Sequence, residues 1–282
     1  MADISHGVTV SLRSVVTYLD QILEYHRAAA DADDRSLDVL IGDAGDSEPV
    51  RGFAASLCSV REDLVAVIAE IKRKSPSRGD LAADLDPAET ASAYVAGGAA
   101  CLSVLTDREH FGGSPEDLRI AREAVTVPVL RKDFTVDLRD VCDARLMGAD
   151  AVLLIAAALD DAELSDFHSL TTELGMDALV EVHDEAELER VLNVGAVLVG
   201  VNQRDLTTFN VDPDRARRVA AVIPEGVVSV AESGVQGPDD AKALHRAGFR
   251  AVLVGESLVT SGDPEAAVAA LVAAGSADGT AG

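Results

Sequence analysis

Lysine is almost missing from this chain: it supplies four of the 24 basic residues and arginine the rest. Positive charge as a whole is scarce, with 49 acidic residues against those 24, a formal net charge of −25 and a pI near 4.4. Such a surface repels the phosphate backbone of nucleic acids and anionic membranes, so neither is expected as a partner. The three cysteines, Cys58, Cys101 and Cys142, are odd in number and too far apart for a zinc motif, which points to reduced thiols in a cytoplasmic protein. Long apolar runs are lacking as well; the longest, 151–159, is too short to cross a bilayer. The chain does not open on a basic segment followed by an apolar one, so no secretory leader is expected. None of the six histidines stands in HExxH or another close ligand pair, which leaves a catalytic metal without support. A Walker loop, GxGxxG and GxSxG are all absent, so neither a nucleotide cofactor nor serine-hydrolase chemistry is indicated.

What is present is a folded chain's share of apolar residues, 48%, with the acids spread along the whole length rather than gathered in a tail. Dispersed acid, scarce lysine and abundant Ala, Val and Asp read as a protein of a high-salt cytoplasm, where salt screens self-repulsion. From residue 65 a short Val/Leu/Ile/Ala run, a polar loop and a helical stretch recur. Strands are expected at 65–72, 99–105, 127–132, 149–155, 178–183, 196–202, 227–231 and 251–255. Helices are expected between them at 87–96, 115–124, 136–146, 160–174, 185–193, 213–222, 238–247 and, last, 264–273. Several helices open with an acid or Pro and close near Gly. The strands are near-continuously apolar, as in a parallel sheet buried on both faces. Eight such units predict an α/β fold, a (β/α)8 TIM barrel over 65–274, with a doubly wound open sheet as the structural alternative. Residues 1–64 form an N-terminal extension: a helix at 15–30, an acidic loop at 31–49 and a short helix within 51–62. It packs on the barrel's end or its mouth. Residues 275–282 are expected as a disordered tail.

Three of the four lysines fall in two runs, 69–77 and 130–134, each at the end of a strand. A chain that avoids lysine has a chemical reason to keep one, because a lysine can be tuned to release a proton and arginine cannot. Barrel strand ends converge on one mouth. The charged and polar set there is Glu70, Lys72, Lys132, Glu181, Asn202 and Glu232, with Ser233. Glu70 and Lys72 are two apart and point to one side of the first strand. Glu181 stands among apolar strand residues, where a carboxylate without partners is costly. Lysines and glutamates in a closed mouth suit proton transfer, since each charge shifts the other's pKa. A buried structural ion-pair network is the plainer alternative. His183, two residues after Glu181, reads first as a capping or structural residue.

Glycine motifs follow the last two strands, Glu232-Ser233-Gly234 and Gly255-Glu256-Ser257. In barrels these loops commonly hold phosphate through main-chain N–H groups, so a phosphorylated small-molecule substrate is expected. Glu256 would then contribute its main chain, with its side chain turned away. Phe111 and Phe134 lie near the mouth in a chain with 3% aromatics; stacking on an aromatic substrate and loop packing both remain open.

Together, Glu70-Ile71-Lys72-Arg73-Lys74-Ser75-Pro76-Ser77, Leu130-Arg131-Lys132-Asp133-Phe134, Leu179-Val180-Glu181-Val182-His183, Gly200-Val201-Asn202-Gln203-Arg204-Asp205-Leu206 and Glu232-Ser233-Gly234 resemble the indole-3-glycerol phosphate synthase family. The resemblance runs over residues 64–262, in order and on the expected strands. It implies the indole-forming step of tryptophan biosynthesis, a carboxy-lyase reaction without a cofactor. In it 1-(2-carboxyphenylamino)-1-deoxyribulose 5-phosphate closes to indole-3-glycerol phosphate with loss of CO2 and water. By the same resemblance Lys132 is the general acid at the ribulose carbonyl. Lys72 holds the anthranilate carboxylate and serves the dehydration. Glu181 and Glu70 exchange protons and stabilise the cationic intermediate, and Asn202 orients Glu70 and substrate hydroxyls. Ser233, Gly234, Gly255 and Glu256 form the phosphate cradle. Ser75 and Arg204 support the substrate, and Phe111 and Phe134 its aromatic ring.

Two rivals remain. A related phosphate-binding barrel, such as phosphoribosylanthranilate isomerase, would need a cysteine at the first strand end, where none stands. A non-catalytic phosphosugar-binding protein would have no use for Lys132. The oligomeric state is unknown from sequence, a monomer being compatible with it.

Overall fold

The computed structural model describes residues 17–76, 78–204 and 211–276. Ser77, Asp205, Leu206, the expected helix start at 15–16 and most of the expected tail, from 277 on, lie outside the described residues. Eight parallel strands form a closed barrel: Ala66–Ile71, Cys101–Leu105, Val129–Lys132, Ala151–Ile155, Asp177–Val182, Leu198–Asn202, Val228–Glu232 and Ala251–Val254. The eighth pairs back onto the first with Ala66 opposite Ala251, which excludes the open sheet. The strands lie close to where the apolar runs predict them. The fifth starts one residue early, at Asp177, and the seventh runs on to Glu232.

Helices alternate with the strands: α4 (Pro87–Ala96), α5 (Pro115–Ala124), α6 (Leu138–Leu146), α7 (Asp161–Glu173), α8 (Glu185–Asn193), α9 (Pro213–Ala220), α10 (Pro238–Arg246), the single turn α11 (Glu256–Val259) and α12 (Pro264–Ala273). Before them come α1 (Tyr18–Asp31), α2 (Leu37–Gly45) and α3 (Phe53–Ser59). Part of the chain's acidity is spent at their starts. Asp86, Asp137, Asp160, Asp184, Asp212 and Asp263 each cap a helix by accepting first-turn N–H groups.

The alternation of strand side chains separates two cores. Val67, Ala69, Leu102, Val104 and their equivalents face the helices. Ala66, Ile68, Cys101, Leu130, Leu179 and Val230 fill the barrel's interior. Register then sets levels inside it: Ser103 stands opposite both Glu70 and Leu130, and Leu153 opposite Leu179. With the tilt of a closed barrel, alternate strands contribute side chains to one layer. Ile68, Leu130, Leu179 and Val230, all fully buried, make such a layer on strands one, three, five and seven. Two residues further along the same strands stand Glu70, Lys132, Glu181 and Glu232.

The extension plugs one end of the barrel and lines the other. Phe53 and Leu57 of α3 are fully buried in the interior core and plug the barrel's floor. Asp150 and Asp177 fix the plug by accepting the main-chain N–H groups of Arg51 and Ala54 at 2.9 Å each. The region expected as an acidic loop instead contains α2. Its Leu37, Leu40, Ile41 and Ala44 repeat at helical spacing and pack on the outer core beside α6, with Asp38 and Asp43 on the other side. At the start of the expected tail, a Cβ on Gly275 would lie 2.9 Å from the Leu64 carbonyl carbon, so this residue packs closely on the chain just before the first strand.

Candidate active site

A cavity of about 520 Å³ opens at the strands' C-terminal ends, and all fourteen residues expected to bind or react line it. Its floor is the upper charged layer. The Lys132 ammonium lies 3.3 Å from Glu181 Oε2 and 3.5 Å from Glu232 Oε2. Glu70, 4% exposed, pairs instead with Lys72, whose Nζ is 2.5 Å from Glu70 Oε1. The layer thus holds one ammonium among three buried carboxylates, over an apolar layer that cannot solvate them.

Electrostatics distribute the protons. Burial opposes the charge on Lys132, but Glu181, Glu232 and Glu70 outweigh it and hold its pKa above the ordinary lysine value. Burial also opposes the charge on Glu181. Lys132, His183 and the Asn202 amide prevail there and keep its pKa below the carboxylate range. Glu232 goes the other way: burial, with Glu181 and Glu70 nearby, pushes it up to about 8 against the pull of Lys132. Environment has separated an ionised carboxylate from a protonated one beside the same lysine, the pattern that acid–base chemistry uses.

Asn202 donates from Nδ2 to Glu181 Oε1 at 3.0 Å and accepts the Arg204 N–H at Oδ1, also 3.0 Å. It orients Glu181, whereas the resemblance pointed to Glu70; the register that sets Glu181 opposite Gly200 brings the two side chains together. His183 stands between two carboxylates. Its Nδ1 lies 3.2 Å from Glu187 and its Nε2 3.5 Å from Glu181 Oε1. None of the three cysteines is among the cavity's lining residues. Cys101 sits in the barrel floor, its thiol directed at the Phe53 carbonyl.

On the opposite wall, Ser233 (φ 63°) and Gly234 (φ 77°) are both left-handed, which turns the chain sharply after the seventh strand. Gln203 holds that turn by donating to the Ser233 carbonyl at 2.7 Å. Ser257 donates to the Val235 carbonyl at 3.1 Å and so ties the two glycine loops together. Gly255 carries no side chain because Glu70 fills the space; a Cβ there would stand 2.5 Å from Glu70 Oε1. The Glu256 carboxylate is turned to Arg78 Nε at 2.8 Å, which leaves its main chain to the cavity. Phe111 and Phe134 lie with centroids 6.2 Å apart, and Ser75 presents a buried hydroxyl with no partner among the described residues.

Sequence reasoning missed several contributors. Tyr18, Leu19 and Ile22 of α1 reach the cavity from the extension, and nothing local marks them as mouth residues. Arg78 lies within the loop after the first strand, where one arginine among 20 draws no notice. Gly200 makes room for the Glu232 carboxylate, with which a Cβ would collide. It could have been suspected as a glycine inside a strand.

A closed parallel barrel with a lysine set between two buried glutamates, facing two tight glycine turns, defines a (β/α)8 barrel whose mouth is arranged for acid–base chemistry. A family model described as indole-3-glycerol phosphate synthase matches residues 19–271. The chain is 51% identical over 264 residues to the indole-3-glycerol phosphate synthase of Mycolicibacterium smegmatis, covering 93% of this chain and 96% of that one. It is 58% identical over 203 residues to that of a Nocardioides species, covering 72% and 78%. Among solved structures, a thiamine phosphate pyrophosphorylase from Pyrococcus furiosus shares the fold at a TM-score of 0.56 and 17% identity, over 76% of this chain and 96% of that one. The chain belongs to the indole-3-glycerol phosphate synthase family.

Proposed function

We propose that this chain catalyses ring closure, decarboxylation and dehydration of 1-(2-carboxyphenylamino)-1-deoxyribulose 5-phosphate to indole-3-glycerol phosphate in tryptophan biosynthesis. The observation that carries the reading is the Lys132 ammonium held between Glu181 and Glu232 at the cavity floor, with the Lys72–Glu70 pair beside it. The carboxylate-bearing ring carbon is a weak nucleophile, so attack on the carbonyl needs an acid at the carbonyl oxygen. Lys132 gives that proton. The ring nitrogen stabilises the cation that results, and CO2 departs leaving its bonding electrons to restore the aromatic ring. Cationic intermediate and carbonyl thus provide the electron sink themselves. In the dehydration an acid, assigned to Lys72, protonates the departing hydroxyl. A glutamate, Glu70 or Glu181, takes the proton from the carbon beside nitrogen. Two protons go to oxygen and one returns from carbon, so each turnover consumes one proton.

Lys72 would also hold the substrate carboxylate. The main-chain N–H groups of Ser233, Gly234, Gly255 and Glu256 would hold the phosphate. Ser75 and Arg204 would support the chain of hydroxyls, and Phe111 and Phe134 would flank the ring. The three free thiols support a cytoplasmic location, and the dispersed acidity supports a high-salt one.

Turnover is measured by indole fluorescence, which stands clear because the chain has no tryptophan of its own. The expected result is a rising signal in molar potassium chloride. Lys132→Met, which removes the acid, should lower kcat by at least roughly 100-fold. A folded wild-type protein that gives no indole overturns the reading.

A further inference from the structure

Away from the charged layer, His26 of α1 meets Asp107 and His110 of the loop after the second strand. The potential ligand atoms of the three all lie within 4.8 Å of one another. His26 Nε2 and His110 Nδ1 each stand 2.9 Å from the same oxygen, Asp107 Oδ2. The Asp107 side chain is 1% exposed and the two imidazoles 15%. Its other oxygen, Oδ1, accepts the main-chain N–H groups of His110 and Phe111 at 2.6 and 3.1 Å, so the carboxylate is fixed in direction. Asp133 offers a second carboxylate oxygen 3.9 Å from His26 Nε2.

Charge and donor type point the same way. The ion-pair partners of Asp107 among the described residues are these two imidazoles, so a cation held between them would lie against a buried carboxylate. Two imidazole nitrogens and one carboxylate oxygen within 4.8 Å of one another are a donor set suited to a borderline divalent cation. Main-chain N–H groups behind the carboxylate do what outer-shell partners do in such sites. Rings enclose the group: Tyr25 lies 5.4 Å from both imidazoles, and Phe134 5.4 Å from His26. No sequence motif reveals it, because His26 and Asp107 are 81 residues apart.

We propose that His26, Asp107 and His110 bind a divalent cation of the zinc type, and that the bound ion staples α1 to the loop carrying Phe111. Since α1 also brings Tyr18, Leu19 and Ile22 to the cavity, the staple secures the extension's side of the mouth.

The test needs no substrate. The full chain, stripped by chelator and dialysed, is titrated with Co2+ by visible absorption and with Zn2+ by calorimetry. One equivalent per chain should bind and raise Tm. Loss of an outer-shell partner already costs roughly 10–100-fold in affinity, so His26→Ala and His110→Ala should each weaken binding at least tenfold. X-ray absorption on the zinc-loaded wild type counts the ligands without any substitution and should find two imidazoles. No stoichiometric uptake, uptake undiminished in the double variant, or a zinc site lacking imidazole would each overturn the proposal, and a hydrogen-bonded group only would remain.

Discussion

Glu232 is the carboxylate whose protonation the fold has moved furthest into the working pH range. Its pKa of about 8 lies above the roughly 4.3 of an exposed glutamate. Between those values the folded state binds more protons than the unfolded one, so stability falls as pH rises through that window. Glu232→Gln removes this slope. Wild type should therefore lose stability relative to the variant between about pH 4.3 and 8, as read by denaturant midpoints. Ionising Glu232 also adds a negative charge where an anionic substrate must enter. A decline of kcat/KM above about pH 8 is expected in wild type and should vanish in Glu232→Gln; a variant that keeps the limb would assign it elsewhere. His183 acts on the neighbouring glutamate. A neutral imidazole has one N–H, yet carboxylates face both ring nitrogens. Burial disfavours the imidazolium, but Glu187 and Glu181 raise its pKa above the usual histidine value. His183→Gln removes that positive charge and should raise the Glu181 pKa, moving the acidic limb of kcat to higher pH with KM little changed. An unmoved limb would make His183 a capping residue only. The lysines and glutamates of the mouth were legible in sequence because charge inside an apolar strand is conspicuous. Their pairings were not. That Asn202 serves Glu181, or that Gly200 clears space for Glu232, depends on register between strands distant in sequence.

At the scale of elements, the short regular period made the barrel readable: each strand is apolar on both faces and each helix is punctuated. The extension was harder, because its helices have no repeat to place them. Acidic residues on the exposed side of α2 hid the apolar spacing of Leu37, Leu40, Ile41 and Ala44. The role of α3 depends on where the barrel's floor lies, which no local pattern encodes. Phe53 is fully buried there against Ile68, Cys101 and the other interior side chains. Phe53→Ala leaves a cavity beneath the lowest layers and should cost about 3–5 kcal/mol. The charged layer lies at the other end of the strands, beyond the layer of Ile68, Leu130, Leu179 and Val230. The variant should therefore melt earlier yet keep its KM at temperatures where it remains folded. A changed KM with unchanged Tm would mean that α3 is coupled to the mouth rather than holding the floor.

Over the whole molecule, a net charge of −25 sets two electrostatic effects against each other. Surface ion pairs such as Arg35 with Asp33 and Asp143 attract, and salt weakens them. The excess acids repel one another, and salt relieves that repulsion for every exposed pair further apart than the Debye length, which shrinks from about 10 Å at 0.1 M to about 3 Å at 1 M. With 49 acids to 24 bases like-charge pairs outweigh unlike ones, so relief should exceed loss. Buried pairs such as Lys132 with Glu181 and Glu232 are shielded from solvent ions and should change little. Tm should rise steadily from low-salt buffer to molar potassium chloride. The same titration on a variant with several exposed Asp and Glu changed to Asn and Gln should give a flatter rise and a higher starting Tm. A Tm that is flat or falls with salt in the wild type would remove the high-salt reading, because self-repulsion would then be too weak to have shaped the surface.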